Sequence, residues 1–449
     1  MGTNTVLYRL KRSLFLSVGC CLSIYGFSQS TVIEPGSSQI LRHLCKNIGP
    51  RLSGSANAQK AVEFGYNQMK AYRFDTVFLQ PVMVPHWERG PVEKVVANGK
   101  SLRVKALGGS VGTDDGTVQA EVIEVKSFTE LEKLGAEKIK GKIVFFNRPM
   151  DPKYKDTFQA YSGAVDQRGE GAVRAARQGA VAVLVRSMTL RLDQFAHTGA
   201  LRYLDSVPKI PAAAISTEDA QWLSENLSTG TVSVSMELSC RQLPEALSYN
   251  VVGEMRGTRY PDKYIVVGGH LDSWDVGEGA HDDGAGVAQS LEALRLIKTS
   301  GYKPLHSIRC VWFMNEENGN RGGQKYAFLA DSLKEMHCAA IESDRGGFMP
   351  EAFSIESTDS VIAAWQKFLP QLKSSGISEL YAGYGGVDIG PLKKVFPEIS
   401  LLGLVPNSTH YFDYHHADTD VFEAVNPQEL QKGAEAMFML IKLLDQELN

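Results

Sequence analysis

The sequence of 449 residues has little charge surplus: 47 Lys and Arg face 51 Asp and Glu, for a formal net charge of −4. That balance leaves no basic footprint with which to grip nucleic acid or an anionic membrane, so neither is expected as a partner. Cysteine is scarce, at six residues, and no two are spaced as CxxC. A thiolate zinc site and a small disulfide-stapled scaffold are both excluded by that count. There is no apolar run of the roughly 18 residues that a spanning helix needs, no internal repeat and no low-complexity tract. What remains is an ordinary globular composition, 43% apolar and 22% charged. At this length two domains are expected rather than one core.

The first thirty residues stand apart. Arg9, Lys11 and Arg12 precede the apolar stretch Leu14 to Phe27, and Ser28-Gln29-Ser30 follow. A positive start, a short apolar centre and a small polar exit predict a secretory signal peptide over residues 1–30. The mature chain is therefore expected to be exported, periplasmic or extracellular, with no stable membrane span. Cys20 and Cys21 leave with that signal, and Ser17-Val18-Gly19 makes a poor lipoprotein site before Cys20. Of the cysteines that stay, Cys310 and Cys338 fall in strand-like runs and read as buried apolar side chains. A bridge among Cys45, Cys240, Cys310 and Cys338 stays open at this point.

Hydrophobic periodicity orders the rest. Helices are expected at Ser38–Leu52, broken by Gly49-Pro50, and at Asn57–Tyr72. Thr76–Val84 reads as a strand placed at an edge by Pro81. From about Pro91 short strands and turns dominate, ending near Pro244. Within this span Gly108-Gly109-Ser110-Val111-Gly112 fits the G-x-S-x-G nucleophile elbow, but turn residues follow where the elbow demands a helix. From Ser248 strands and helices alternate, predicting an α/β sheet covered on both faces. A helix over Asp359–Leu369 is expected to stop at Pro370, and a last helix runs over Pro427–Leu448.

The chemistry is concentrated in Tyr264–Gly286, YIVVGGHLDSWDVGEGAHDDGAG. The run Ile265-Val266-Val267 reads as a buried strand that delivers His270 and Asp272 to its carboxyl end, where open α/β sheets build their sites. Asp282-Asp283 come next, before the small residues that open a helix. Glu316 and Glu317 follow a second strand, Asp344 a third, and His415-His416 precede the final helix. Singly, each has a plainer reading: a helix cap at Asp282, a solvated loop at Glu316-Glu317, an ion pair of Asp344 with Arg345, aromatic packing for the histidines. Their recurrence at successive strand exits argues for one site instead. Imidazole and carboxylate without thiolate is the donor set of hydrolytic zinc. Five such ligands with one shared carboxylate suffice for two ions about 3.5–4 Å apart.

The segments GGHLDSWDVGEGAHDDGAG, NEENG, ESDRGGF and HHADTD, in this order and spacing, closely resemble the co-catalytic di-zinc exopeptidases. The likeness covers essentially the whole mature chain, from IGPRLSGS through ALGGSVGT onward. It implies a mixed sheet sandwiched by helices, built from residues 31–90 and 246–449. Residues 91–245 would be an inserted β-rich domain, whose GKIV and RAARQGAVAVLV elements resemble a protease-associated domain. By position, the resemblance implies two zinc ions per chain, His270 and Asp344 on one, Glu317 and His416 on the other, and Asp282 bridging both. His416 is chosen over His415 because Asp420 stands four residues after it. Glu316 would be the general base, and the Asp272 carboxylate would orient His270. The peptide Asp282–Asp283 would be cis, and Asp388, in YGGVDIGPL, would lie near the substrate cleft. The implied activity is hydrolysis of dipeptides or of amino-terminal residues from short peptides, with a homodimer left open. Two other readings share the scaffold: a glutaminyl-cyclase-like transferase with one zinc, and a receptor-like ectodomain that has lost ligands.

Overall fold

The computed structural model describes Met1, residues 34–114 and residues 116–448. The expected signal peptide, Met1 apart, lies outside the described residues. One eight-stranded sheet runs in the order Thr76–Glu88, Arg241–Met255, His306–Phe313, Tyr260–His270, Met336–Glu342, Ser400–Pro406, Pro350–Glu356, Glu379–Ala382. Its centre is parallel: Tyr260–His270 pairs with His306–Phe313 on one side and Met336–Glu342 on the other. Each of these three strands is followed by residues expected in the site, so their parallel direction brings those residues to one sheet edge.

Pleating sorts the strand residues between two cores. Ile265, Val267, Ile308, Cys310 and Trp312 join the core under helices Ala285–Thr299 and Pro427–Glu447. Val266, Val311 and Phe313 join a smaller core on the opposite face, with Tyr326, Ala327 and Leu392. Both faces are covered, which is why the strand reads as a continuous apolar run and not as an alternation. Cys45, Cys240 and Cys310 are buried, Cys338 partly so, and all four are free thiols. No helix among the described residues is long and apolar enough to cross a membrane.

A second eight-stranded sheet is built from strands between Glu93 and Leu238. Ile143–Phe146, Ala182–Arg186 and Ala212–Ile215 run parallel at its centre, and they too divide residues between two cores. Those cores take in residues from outside the span: Trp274 and Val276 on one face, Tyr411 and Phe412 on the other.

Three expectations need correction. The expected boundary at residues 245–246 falls inside a strand, because Arg241–Met255 pairs with Thr76–Glu88 along its whole length, from Thr76↔Glu254 to Glu88↔Arg241. Pro244 is tolerated there beside a register shift between Val84 and His86. Pro370 does not end a helix; it sits in the first turn of Leu369–Leu372, where its missing N–H costs nothing. Strands Pro350–Glu356 and Glu379–Ala382 carried no strong period and were not expected.

The final helix is tied to the sheet by Asp445. This buried carboxylate accepts from the Leu305 and His306 amides at 2.8 and 2.7 Å, from the Tyr302 hydroxyl at 2.7 Å, and faces His306 Nδ1 at 2.9 Å. Asp445→Ala strands those buried donors and is expected to lower stability by about 3 kcal/mol. A urea midpoint equal to that of the parent protein would show that the helix docks without it.

Candidate active site

Strand Tyr260–His270 ends in Gly268-Gly269, and the second glycine is required by what packs on it. A Cβ at Gly269 would strike the Asp283 carboxylate and the Ser343 carbonyl, and one at Gly286 would strike the same two groups. The pattern GGH…DDGAG therefore lets the strand end, the helix start and the next strand exit close on one another. Asp283, which carried no expected role, joins them: one oxygen accepts from the His270 amide at 3.0 Å, the other from the Gly286 amide at 2.8 Å. The Asp282–Asp283 peptide is cis, as the resemblance implied.

Between His270 and Asp282 the chain makes a loop that Arg51 holds from within. This fully buried guanidinium donates to the carbonyls of Leu271 at 2.6 Å, Glu278 at 2.7 Å and Gly279 at 2.8 Å. Asp420 grips the far end, accepting from the His281 amide at 2.7 Å and the Asp282 amide at 3.2 Å. The aspartate that distinguishes the two histidines by its spacing thus also fixes the backbone from which Asp282 projects.

Six of the seven expected side chains meet directly or line the same spot. Asp282 turns one oxygen to His270 Nε2 at 3.2 Å and the other to His416 Nε2 at 3.1 Å. Asp344 approaches the same His270 nitrogen at 3.4 Å, and Glu317 the same His416 nitrogen at 3.1 Å. Glu317 is anchored by its other oxygen, which accepts from the Trp274 amide at 3.1 Å. Glu316, partly exposed, is adjacent to Glu317 in the same turn. Burial first, then the carboxylates of Asp344, Glu317 and Asp282, hold its pKa well above the usual carboxylate range. Glu317 is pushed up to about 7 by burial and by Asp282.

Asp272 behaves differently from its expected role. The nearer partner of His270 Nδ1 is the backbone carbonyl of Asp272, at 2.9 Å; the carboxylate stands 3.9 Å away. That carboxylate instead accepts from the amides of Asn315 at 2.7 Å and Glu316 at 3.1 Å, bracing the turn that carries the two glutamates. His416 is fixed from the second sheet's span: its Nδ1 faces the Thr198 carbonyl at 3.3 Å, and its own carbonyl accepts from the Thr198 amide at 2.9 Å. The backbone of His416 is left-handed, at φ 61°, so this pairing holds a conformation that histidine seldom adopts. His415 stacks on His416 at 3.5 Å, with its Nε2 3.7 Å from Asp282. Burial and then the neighbouring His416 keep its pKa well below the usual imidazole value.

With its Nδ1 turned to a carbonyl, His270 points its Nε2 lone pair at carboxylate oxygens. His416 Nδ1 lies between the Thr198 carbonyl at 3.3 Å and Arg168 Nη1 at 3.4 Å, and its Nε2 likewise faces carboxylate oxygens. Acceptors facing acceptors at 3.1–3.4 Å need a proton or a cation between them. Two ligands 2.0–2.1 Å from one tetrahedral ion stand about 3.3 Å apart, so the spacing is compatible with bound metal.

Asp388 is not among these groups. It is buried next in sequence to Val387, neither of its oxygens has a hydrogen-bond partner, and burial with the Glu342 carboxylate drives its pKa well above the usual range. Ser110 of the G-x-S-x-G stretch is structural: its hydroxyl donates to the Val111 carbonyl and accepts from the Ala212 amide, both at 2.9 Å. The neighbouring Gly108 is bare because the Trp274 ring occupies the place of its Cβ.

A model of peptidase family M28 matches residues 250–441. Carboxypeptidase Q of Bos taurus is 36% identical over 92% of this chain and 85% of its own, and that of Homo sapiens is 35% identical over the same shares. The chain belongs to peptidase family M28. This M28 peptidase is a metallopeptidase, and its fold superposes on the crystal structure of a peptidase M28 precursor from Shewanella amazonensis SB2B with a TM-score of 0.87. Identity there is 32%, covering 91% of this chain and 93% of that one. A zinc aminopeptidase from Bacillus subtilis shares the fold at a TM-score of 0.65 and 19% identity, over 91% of this chain and 94% of its own.

Arg51 offers the sharpest test of how the site is held. Arg51→Met removes three charged hydrogen bonds and orphans three carbonyls, and is expected to lower stability by about 3 kcal/mol or more. Thermal melting with parallel metal analysis would show it; unchanged melting and metal content would mean that the loop holds itself.

Proposed function

We propose that this M28 peptidase is an exported exopeptidase that binds two zinc ions and hydrolyses dipeptides or removes amino-terminal residues from short peptides. The observation that carries this reading is the Asp282 carboxylate, each of whose oxygens faces a different imidazole. In this reading His270 and Asp344 hold one ion, Glu317 and His416 the other, and Asp282 is shared. Bound there, the ions would polarise the scissile carbonyl and lower the pKa of water toward neutrality.

The chain's own groups do the rest. Glu316 takes the proton from the attacking water and returns it to the leaving amine. The Asp272 carboxylate holds the turn on which Glu316 rides, and the Asp272 carbonyl keeps the His270 tautomer that leaves Nε2 free. Asp420 and Arg51 keep Asp282 in place. The span that carries the second sheet, from Glu93 to Leu238, is read as a protease-associated domain that walls one side of the cleft.

Two tests follow from these roles. Glu316→Gln is expected to lower kcat by about a hundredfold or more while two zinc ions per chain stay bound; retention of more than about a tenth of the parent kcat would remove Glu316 from its role. His416→Ala is expected to reduce bound zinc from two ions to one, whereas His415→Ala retains two, as read by atomic emission. The reverse pattern would exchange the two histidines, and a single zinc in the parent protein would favour a transferase on this scaffold.

A further inference from the structure

Beside Asp344 lies a cleft of about 140 Å³, lined among others by Phe158, Glu342, Arg345, Tyr384 and Val387. It is far smaller than a pocket for a drug-sized ligand and suits a single residue. Three of its lining groups carry charge, and two of them are committed. Asp344 faces His270 at 3.4 Å, and the buried Glu342 carboxylate accepts from the Val387 and Ile389 amides at 2.8 and 2.9 Å. Arg345 is the third. Among the described residues no carboxylate oxygen lies within 4.0 Å of its guanidinium, which sits 5.0 Å over the Phe158 ring. The same side chain lines an open cleft of about 580 Å³ with Lys155, Tyr381 and the carboxylates of Asp156, Glu351 and Glu379, so it can be reached from solvent. Its planar fork matches a carboxylate.

We propose that Arg345 is a specificity-determining residue, which binds a substrate carboxylate in the cleft beside Asp344. The inference rests on the reading of the site as a peptide-hydrolysing centre. Because Asp344 belongs to both the cleft and the His270 cluster, the recognised residue is one that flanks the bond to be cut. Its carboxylate has two sources: the free α-carboxylate of a dipeptide, or the side chain of Asp or Glu.

Two substrate pairs separate them. Alanyl-alanine against alanyl-alanine amide varies the α-carboxylate alone; Glu-Ala amide against Gln-Ala amide varies the side chain alone. In the zinc-loaded protein, kcat/KM is expected to favour the acid over the amide in one pair by about ten- to a hundredfold. Arg345→Met should collapse that ratio toward one, mainly through KM, and Arg345→Lys should restore part of it. Damage to the fold or to metal binding lowers both members of a pair together and leaves the ratio standing. The pair that shows the preference names the source. Equal rates within both pairs in the parent protein, or a preference that survives Arg345→Met, would overturn the proposal. Absence of any metal-dependent hydrolysis of all four peptides would instead overturn the reading of the site.

Discussion

The structure is arranged around one unfavourable juxtaposition: carboxylates and imidazole lone pairs brought within about 3 Å of one another, out of water. Asp282 stands at its centre with His270 on one oxygen and His416 on the other. Such a cluster does not hold itself, because burial acts against its charges and its facing acceptors need a proton or a cation between them. The surrounding structure supplies the opposing grip. Arg51 commits its whole guanidinium to three backbone carbonyls of the intervening loop, and Asp420 takes both amides at Asp282. Asp283 fastens strand end to helix start, and Asp272 fastens the glutamate turn. None of these four needs to touch a metal, yet each fixes where a donor atom sits.

The second sheet takes part in the same site and is not an appended module. Thr198 pins both the ring and the backbone of His416, and the His197 ring meets the His415 carbonyl at 2.7 Å. Phe158 stacks on Tyr411 and supports Arg345, while Gly108 leaves room for Trp274, whose amide anchors Glu317. The stretch that mimics a serine elbow is thereby explained by packing. Its first glycine makes space for an indole, and its serine closes a loop.

Part of the candidate donor set stood out in the sequence because His270, Glu317 and Asp344 each come just after an apolar run in a chain that alternates strand and helix. Glu316, Glu317 and Asp344 could be placed at strand exits without knowing which strands were neighbours. The helical stripe Leu430, Ala434, Met437, Ile441 and Leu444 was equally plain, and all five residues are buried. Other features left no local trace. Arg51 lies some 220 residues from the carbonyls it holds, and a lone arginine after Gly-Pro has no periodic signature. Strand Arg241–Met255 contains Pro244 and exposed polar residues at its start, so its pairing with Thr76–Glu88 could not be read from its own composition.

By itself the sequence determined which residue types could bind a hydrolytic metal and that they would emerge at the carboxyl ends of strands. Strand and helix periodicity is local, and it sets where each side chain leaves its element. Only the tertiary structure decided how they meet. Parallel pairing of Tyr260–His270 with both neighbours brings three exits to one edge. The turn before the last helix then lays His416 across them, held by Thr198. It also reassigned Asp272, from a carboxylate set on a histidine to one that braces a turn, because a difference of about 1 Å between carbonyl and carboxylate cannot be seen in a string of residues.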